Sequence, residues 1–417
     1  MNEFTILFLI MLALTTGMQF WLSQRQHRHV HINRNEVPAP FRDNIPLEAH
    51  QKAADYSVAK IRYERMDLVA STFFLLCWTI GGGLELLDSV WRDLGLSPIM
   101  TGIGVLLSVF FISGILDLPL SVFHTFVLEQ RYGFNHTTPV IFIKDLIMQA
   151  LIALIIGIPL IWVVLWLMGQ SGQLWWLYVW MVWIGFSVFM MWAYPAVISP
   201  LFNKFSPLDD IALKDRIENL LTRTGFTSKG VFVMDSSRRS GHGNAYFTGL
   251  GAHKRIVFFD TLIKSLTHGE IEAVLAHELG HFKRRHIHKR IASMAVLSLL
   301  GLGILGWLID QEWFYTGLGM QRLSDYAALA LFMFAMPVFS FFISPIMTYV
   351  TRKQEFEADD YASEQADPQE LIHALVKLYK ENAATLTPDP LYSAFHDSHP
   401  PAPIRVAHLA AKQRRPV

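Results

Sequence analysis

Cysteine and charged residues are scarce in this sequence, and it has no net charge. Cys77 is the single cysteine among 417 residues, which excludes an internal disulfide and a metal site built from several thiolates. Lys plus Arg and Asp plus Glu are equal at 35 each, so overall charge does not point to nucleic acid or to an acidic partner. Only 17% of the residues are charged and 52% are hydrophobic, a balance too apolar for an ordinary soluble protein. The composition predicts an integral membrane protein, with Cys77 buried in an apolar run.

Seven apolar runs are long enough to cross a bilayer, which takes about 20 residues each. The first run lacks a basic n-region and a clear small-residue cleavage site, so it is predicted to be a permanent span rather than a signal peptide. The runs cover residues 4–22, 68–87, 99–116, 146–168, 174–198, 291–309 and 326–350. The sequence therefore predicts a multi-pass α-helical membrane protein with seven transmembrane helices.

Basic residues indicate which side of the membrane each segment faces. The loop beginning at Gln24 carries Arg25, Arg28 and Arg34 and is predicted to be cytoplasmic. With seven spans, the polar insert 200–290 and the tail after residue 351 face the same side, and both are rich in Lys and Arg. We expect four parts: a membrane region at 1–199, a catalytic insert at 200–290, two further spans at 291–350 and the rest of the catalytic domain at 351–417.

The polar insert has its own secondary-structure pattern. Apolar and β-branched stretches at 230–234 and 255–260 flank a turn rich in Gly, Asn and Ser, and they predict a small β-sheet. Residues 270–288 follow as a helical stretch that contains His277-Glu278-Leu279-Gly280-His281. Histidines four apart lie on one face of a helix, where both can bind one Zn²⁺ while Glu278 reaches a water on the same metal.

A catalytic zinc usually has three protein ligands, so a third ligand must come from elsewhere. Arg284 and Ile287 stand where the metzincin pattern needs Gly and His, which excludes that class. Glu355 is the best candidate, because two spans separate it from His281 and return the chain to the same side of the membrane. Asp359, one turn beyond Glu355 on what is predicted to be the same helix, can accept the free N–H of a ligating histidine.

Several non-catalytic interpretations of these residues compete with a catalytic zinc site. A lone five-residue motif can arise by chance on an ordinary amphipathic helix, and a closed structural zinc site would normally include cysteine. Glu357 is predicted to be a solvated charge that points away from the metal. His286 and His288 lie among basic residues and are predicted to form a collar facing lipid headgroups, and the histidines at 27, 29 and 31 a solvated linker.

The sequence closely resembles the type I CaaX prenyl proteases, integral-membrane zinc metallopeptidases that have the heat-shock membrane proteases as shorter relatives. The resemblance runs from the first span to the tail. Besides HELGH, the matching stretches are EQRYGFN (129–135), PLFNKFSP (200–207), NAYFT (244–248), RIVFFDTL (255–262), EFEADDYA (355–362) and SHPP (398–401) with Arg405. So many motifs in one order make chance agreement very improbable.

The resemblance implies a role for each matching residue. It implies that His277, His281 and Glu355 hold one Zn²⁺ per chain, that Glu278 is the general base and that Asp359 supports a ligand. The implied fold is seven long tilted helices around a large intramembrane chamber, closed at the cytoplasmic end by the metal domain.

The same resemblance assigns four further positions. Asn244 and Ala245 would lie on a strand that holds the substrate backbone, His399 would contact the reacting carbonyl, and Arg405 would steady the Glu ligand. From the residues alone, Asn244 is by default a turn residue, His399 an exposed loop histidine and Arg405 a surface cation.

Two departures from the best-known eukaryotic members favour either a bacterial member, expected in the inner membrane, or a member that needs no retrieval signal. The segment from Asp260 to Glu270 is short, where those members often carry a long charged insertion, and residues 413–417 contain no endoplasmic-reticulum retrieval signal. In a host that makes no prenylated proteins, the natural substrate cannot be a CaaX protein.

The function predicted is zinc-dependent hydrolysis of peptide bonds in a membrane-associated polypeptide, of the type that removes the C-terminal tripeptide of a prenylated CaaX protein. A broader membrane quality-control protease is the alternative within the enzyme class. A transporter or channel with an incidental metal site is the alternative outside it, but that class concentrates charges within the spans. In this sequence the charges gather in the predicted cytoplasmic segments instead. Asp117 and Glu129, near span ends, are the partial exceptions. The expected partners are a polypeptide and the lipid bilayer, with no nucleic acid, and the oligomeric state stays open.

Overall fold

The computed structural model describes residues 2–248 and 255–413, so the tail residues 414–417 lie outside it. Long helices dominate the first half of the chain. Wider helical turns at His124–Glu129 and Tyr194–Ile198 extend two of these helices into the short helices that follow them. The helices are α1 (Glu3–Ile32), α2 (Leu47–Trp78), α3 (Gly83–Arg92), α4 (Pro98–Phe123), α5 (Gln130–Tyr132), α6 (Pro139–Gln170), α7 (Trp175–Ala193) and α8 (Ser199–Phe202).

A four-stranded sheet and three helices come next along the chain. The elements are β1 (Phe205–Pro207), α9 (Ile211–Thr224), β2 (Val231–Met234), β3 (Ala245–Thr248), β4 (Arg255–Phe259), α10 (Asp260–Ser265) and α11 (His268–Lys283). The strand order is β1-β2-β4-β3; β2 and β4 are parallel, and each outer strand is antiparallel to its neighbour. The apolar stretches predicted as strands are confirmed as β2 and β4, the two central strands.

The remaining elements are all helical. They are α12 (His286–Leu308), α13 (Glu312–Gly317), α14 (Asp325–Ser340), α15 (Ser344–Gln365), α16 (Pro368–Glu381), α17 (Pro390–His396) and α18 (Ala402–Gln413). A turn of tighter helix at Phe341–Ile343 joins α14 to α15, so that Asp325–Gln365 forms one span of 41 residues. The last span therefore continues into the helix that carries Glu355, as the sequence predicted.

Among the described residues, six helices are long and apolar enough to cross a membrane, and the bent pair α2–α3 makes a seventh. The number agrees with the seven predicted spans when this bent pair is taken as one span, but the second span is then not one straight helix. It breaks between Trp78 and Gly83 with a bend of 48°. Gly82 adopts φ +78°, and a Cβ on Gly83 would lie 2.7 Å from the carbonyl oxygen of Cys77, so glycine suits both positions.

The helices also extend well beyond the predicted runs. Helix α1 has 30 residues and is therefore about 45 Å long, against about 30 Å of hydrocarbon in a bilayer. Arg25 and Arg28, predicted to lie in a loop, are on this helix. Cys77 is exposed on α2 rather than buried, because an apolar position of a spanning helix can face lipid.

Two apolar cores organise the molecule. One lies among the spanning helices around Tyr315 and Leu331. The other lies among the helices and sheet of the polar region, around Phe258 and Leu275. Phe41, from the connection between α1 and α2, is buried in this second core. Helix α11 thus packs against this core, which fixes the position of the helix and of the side chains on its opposite face.

Helices α11 and α15 touch at backbone distance. A Cβ on Gly280 would lie 2.9 Å from Cα and 3.0 Å from the carbonyl oxygen of Ala358. A capping box of Thr267 and Glu270 begins α11, and the Glu270 carboxylate also accepts from Lys377 at 2.7 Å. The position of α11 is therefore set at its first turn and again opposite α15.

We predict that Gly280→Ala destabilises the protein by about 1–3 kcal/mol, the usual cost of overpacking. The added methyl would have to displace backbone atoms of Ala358, which forces α11 away from α15. Thermal unfolding of the detergent-solubilised protein measures the effect. Gly185→Ala on α7 is the control, because nothing lies within 4 Å of a Cβ there. Unfolding of Gly280→Ala at the wild-type temperature would contradict the role of this contact.

Candidate metal centre

Three side chains from two helices converge on one point. His277 and His281 lie on α11 and Glu355 on α15, and each offers a ligand atom within 4.8 Å of the other two. The two Nε2 atoms are 3.2 Å apart, and the Glu355 oxygens lie 3.5 Å from His277 Nε2 and 3.3 Å from His281 Nε2. Ligand atoms around a tetrahedral metal with bonds of about 2.0–2.2 Å are about 3.3–3.6 Å apart. The spacing therefore fits a single metal ion.

The Glu355 carboxylate gives an independent test of that fit. The residue is buried, and its Oε2 atom makes no hydrogen bond to any described part of the chain. A buried carboxylate oxygen without a partner is costly, so native proteins rarely keep one. Two imidazole nitrogens and a carboxylate oxygen are a common donor set for a divalent metal. The three residues thus suit a metal ion in both geometry and chemistry.

His277 is held from behind by a buried ion pair. Its Nδ1–H donates to Asp359 Oδ1 at 2.8 Å, and Asp359 is fully buried. Arg405, on α18, donates to both oxygens of Asp359 at 2.6 and 2.9 Å. Its distance to Glu355 is longer, at 3.8 Å. Arg405 therefore acts chiefly on the carboxylate behind His277 and less on the Glu355 side chain.

His281 also has a partner at its second ring nitrogen. His281 Nδ1 lies 2.9 Å from His286 Nδ1, and His286 Nε2 lies 3.0 Å from Glu357 Oε2. His286 is 2% exposed, so its prediction as part of a collar facing headgroups is wrong, whereas His288 is exposed. The solvated Glu357 predicted from the sequence is also wrong, because this carboxylate pairs with His286 and lies 3.6 Å from Lys289.

A backbone turn explains why the sequence did not reveal His286. Arg285 adopts φ +56°, which ends α11 and directs the next helix back toward His281. The two histidines are five positions apart in the sequence, a spacing that does not place side chains on one face of a continuous helix. Glycine is the usual residue at such a turn. An arginine at this position does not indicate in the sequence that the helix breaks between α11 and α12.

Glu278 and His399 complete the group of predicted catalytic residues. Glu278 is half-buried on α11 next to His277. His399 lies between α17 and α18 with 62% of its side chain exposed, and its Nε2 is 3.5 Å from Glu355 Oε1. Ser398 Oγ is 3.0 Å from His399 Nδ1. The structure thus brings His399 to the metal ligands although it is distant from them in sequence.

Electrostatics differ between His277 and His399, which both lie outside the spanning helices. Burial on its own lowers the pKa of His277, but the neighbouring carboxylates of Asp359 and Glu355 outweigh burial and raise that pKa to about 9. Desolvation lowers the pKa of His399 below its usual value, and the nearby Arg405 lowers it further, against the opposing effect of Glu355. At neutral pH His399 is therefore neutral, whereas metal-free His277 holds a proton.

Of the two predicted substrate-binding residues, Ala245 lies on strand β3 and Asn244 immediately precedes it. Ala245 begins β3, the outer strand of the sheet. Asn244 is exposed, and its carbonyl oxygen accepts from the Phe259 N–H at 2.9 Å. One side of β3 pairs with β4, which leaves its other side as a sheet edge where an extended peptide can pair.

Comparison with known proteins gives consistent matches over the whole chain. A family profile described as CAAX prenyl protease N-terminal, five membrane helices, matches residues 26–204, and Peptidase family M48 matches residues 207–413. A CAAX prenyl protease 1 homolog of Arabidopsis thaliana is 34% identical over 383 residues, which cover 89% of each chain. CAAX prenyl protease 1 of Saccharomyces cerevisiae is 31% identical over 94% of this chain and 92% of that protein. The crystal structure of S. mikatae Ste24p has a TM-score of 0.90 at 29% identity, covering 98% of this chain and 99% of that one.

We predict that metal affinity falls as pH is lowered from 9 to 7. The pKa of His277 is raised above its usual 6.5, so below about pH 9 a metal must displace a proton from this ring. Displacing one proton weakens binding about tenfold per pH unit. Chelator competition at pH 7, 8 and 9.5, corrected for the chelator's own protonation, measures this slope.

Asp359→Asn serves as the companion variant, because it removes the carboxylate charge that holds the proton on His277. The slope between pH 7 and 8 should then flatten. Affinity that is already independent of pH between 7 and 8 in the unmodified protein would contradict the raised pKa.

Proposed function

Since the chain belongs to the CAAX prenyl protease 1 family, it is a multi-pass membrane metalloprotease that acts on polypeptides, and we propose that it cleaves prenylated C-termini with zinc. The reaction proposed is removal of the C-terminal tripeptide that follows a lipidated cysteine. The convergence of His277, His281 and Glu355 on one point carries this proposal. Family membership does not fit a transporter with an incidental metal site.

We assign one Zn²⁺ per chain to these three ligands, because imidazole and carboxylate donors with room for a fourth ligand are typical of catalytic zinc. Bound there, zinc supplies Lewis acidity that polarises a peptide carbonyl and lowers the pKa of water to about 7. Asp359 holds His277 in the tautomer that presents Nε2, and Arg405 holds Asp359.

Glu278 carries the proton transfers, and His399 stabilises the oxyanion. A carboxylate oxygen of Glu278 takes a proton from the attacking water and delivers it to the nitrogen of the leaving peptide. Neutral His399 can accept from Ser398 at Nδ1, which leaves a proton on Nε2, the nitrogen that faces the metal ligands. That N–H would donate to the oxyanion as it forms on the scissile carbonyl.

The edge strand β3 is the proposed seat of the substrate backbone. A peptide that pairs with Ala245–Thr248 would lie extended, with Asn244 at one end of the strand. Main-chain hydrogen bonds of this kind position any sequence equally well, so they cannot select a lipidated substrate. Selection must then come from elsewhere.

An apolar cavity between the spanning helices supports a lipidated substrate. It has a volume of about 1450 Å³ and is lined by residues of α4, α6, α7, α12, α14 and α15, with Phe110, Leu154 and Met333 among them. Pockets for drug-sized ligands are about 300–1,000 Å³. Gln354 lines the same cavity and is the residue before Glu355. A prenyl chain in this cavity would hold the adjoining peptide near the proposed zinc.

The orientation and location are also proposals. Exposed basic residues gather where α11 meets α12, at Lys283, Arg284, Lys289 and Arg290, and such clusters favour the cytoplasmic side. We therefore place the metal centre on that side and keep the division at 1–199, 200–290, 291–350 and 351–417. The short segment between β4 and α11, 260–267, supports a bacterial inner-membrane protein.

The first functional prediction tests Glu278 as the general base and Glu355 as a metal ligand. Glu278→Gln should keep one zinc per chain and lose about 10²–10⁴-fold in turnover, because the amide cannot take the proton. Glu355→Ala should instead lower zinc content. Metal analysis and peptide cleavage are measured on both, with Glu364→Gln, exposed on α15, as the control. Normal cleavage by Glu278→Gln would remove its assignment as the base.

The second functional prediction tests the substrate. One peptide is prepared with and without a farnesyl group and assayed with and without a zinc chelator. We expect faster cleavage of the farnesylated form, and Gly157→Leu should raise its KM, because Gly157 lines the cavity and its Cβ position is open. Gly185→Leu on α7 is the control. Equal cleavage of both peptides would favour the quality-control protease instead.

A further inference from the structure

His286 lies directly behind a metal ligand without being one. The His281 and His286 rings meet edge to face at 71°, with centroids 5.1 Å apart. Their Nδ1 atoms are 2.9 Å apart, a hydrogen-bonding distance. On its other side, His286 Nε2 lies 3.0 Å from Glu357 Oε2. The contacts form a chain from His281 through His286 to a carboxylate on α15.

Only one arrangement of protons satisfies this chain when His281 binds a metal through Nε2. His281 then carries its proton on Nδ1 and donates it to Nδ1 of His286. His286 must in turn carry its own proton on Nε2, where it donates to Glu357 Oε2. Each hydrogen bond has one proton and one acceptor, so both rings are fixed in a single tautomer.

The backbone is adapted to this contact. Arg285 and Ala383 are the two residues other than glycine that have positive φ in the described chain. A residue with a side chain is disfavoured in the left-handed conformation. At Arg285 this conformation lets α12 begin with a buried histidine against His281. Strained backbone that persists without glycine is characteristic of functional sites.

We propose that His286 is a positioning residue of the metal centre, which fixes the tautomer and orientation of His281 and is itself held by Glu357. This inference rests on the proposed metal function. Its counterpart is the direct contact of His277 with Asp359. Both supporting carboxylates come from α15, which also supplies Glu355, so one helix orients all three ligands.

The test measures Zn²⁺ affinity of the full chain in detergent by chelator competition, together with the visible spectrum of the Co²⁺-loaded protein. His286→Leu should weaken zinc binding about 10–100-fold, the usual effect of removing a partner behind a ligating histidine. His286→Asn should restore most of the affinity, because its Oδ1 can accept from His281 Nδ1. The exposed neighbour His288→Leu is the control and should bind normally.

Wild-type zinc affinity in His286→Leu would overturn the proposal, and so would a His286→Asn variant as weak as His286→Leu. If His286→Leu does not fold, Glu357→Gln decides, with the exposed Glu364→Gln as its control. It should weaken zinc binding severalfold and shift the Co²⁺ spectrum, and equal affinity in the two glutamine variants would overturn the proposal. Failure of the unmodified protein to bind zinc would instead refute the proposed function.

Discussion

The contact between α11 and α15 is the constraint on which the site depends. Gly280 lies inside the HELGH motif, and its missing side chain lets the backbone of α11 approach Ala358. Since side chains on α11 supply two ligands and α15 the third, a shift of about 1 Å between the helices would spoil the 3.2–3.5 Å spacing of the ligand atoms. The glycine of the motif is thus explained by packing, and the histidines by chemistry.

Charge balance explains why this close packing favours a cation. Glu355 and Asp359 bring two negative charges into a buried site where Arg405 supplies one positive charge. Buried charges are stable only when they are paired, so a net negative charge remains to be balanced. In the metal-free protein a proton on His277 meets this need, which is why its pKa rises to about 9. A divalent metal meets it more fully and displaces that proton.

Features that depend on regular helix geometry were predictable from the sequence, whereas those that depend on irregular backbone were not. Helical spacing paired His277 with His281, and the two intervening spans correctly brought Glu355 to them; apolar runs predicted seven spans. The contact of His286 depends on a left-handed turn at Arg285, which no Gly or Pro announces. The break in the second span was not predicted either, and β1 has only three residues and ends in proline, too short for a pattern.

The arrangement along α15 connects the lipid-facing and catalytic parts of the molecule. Gln354 lines the apolar cavity, while the next residue, Glu355, faces the histidines. Successive helical residues point about 100° apart and have Cα atoms about 3.8 Å apart. The cavity and the metal centre therefore share one turn of one helix, with no flexible linker between them. For a substrate whose lipid occupies the cavity, this rigid spacing would set which peptide bond reaches Glu278, independently of the side chains beyond that bond.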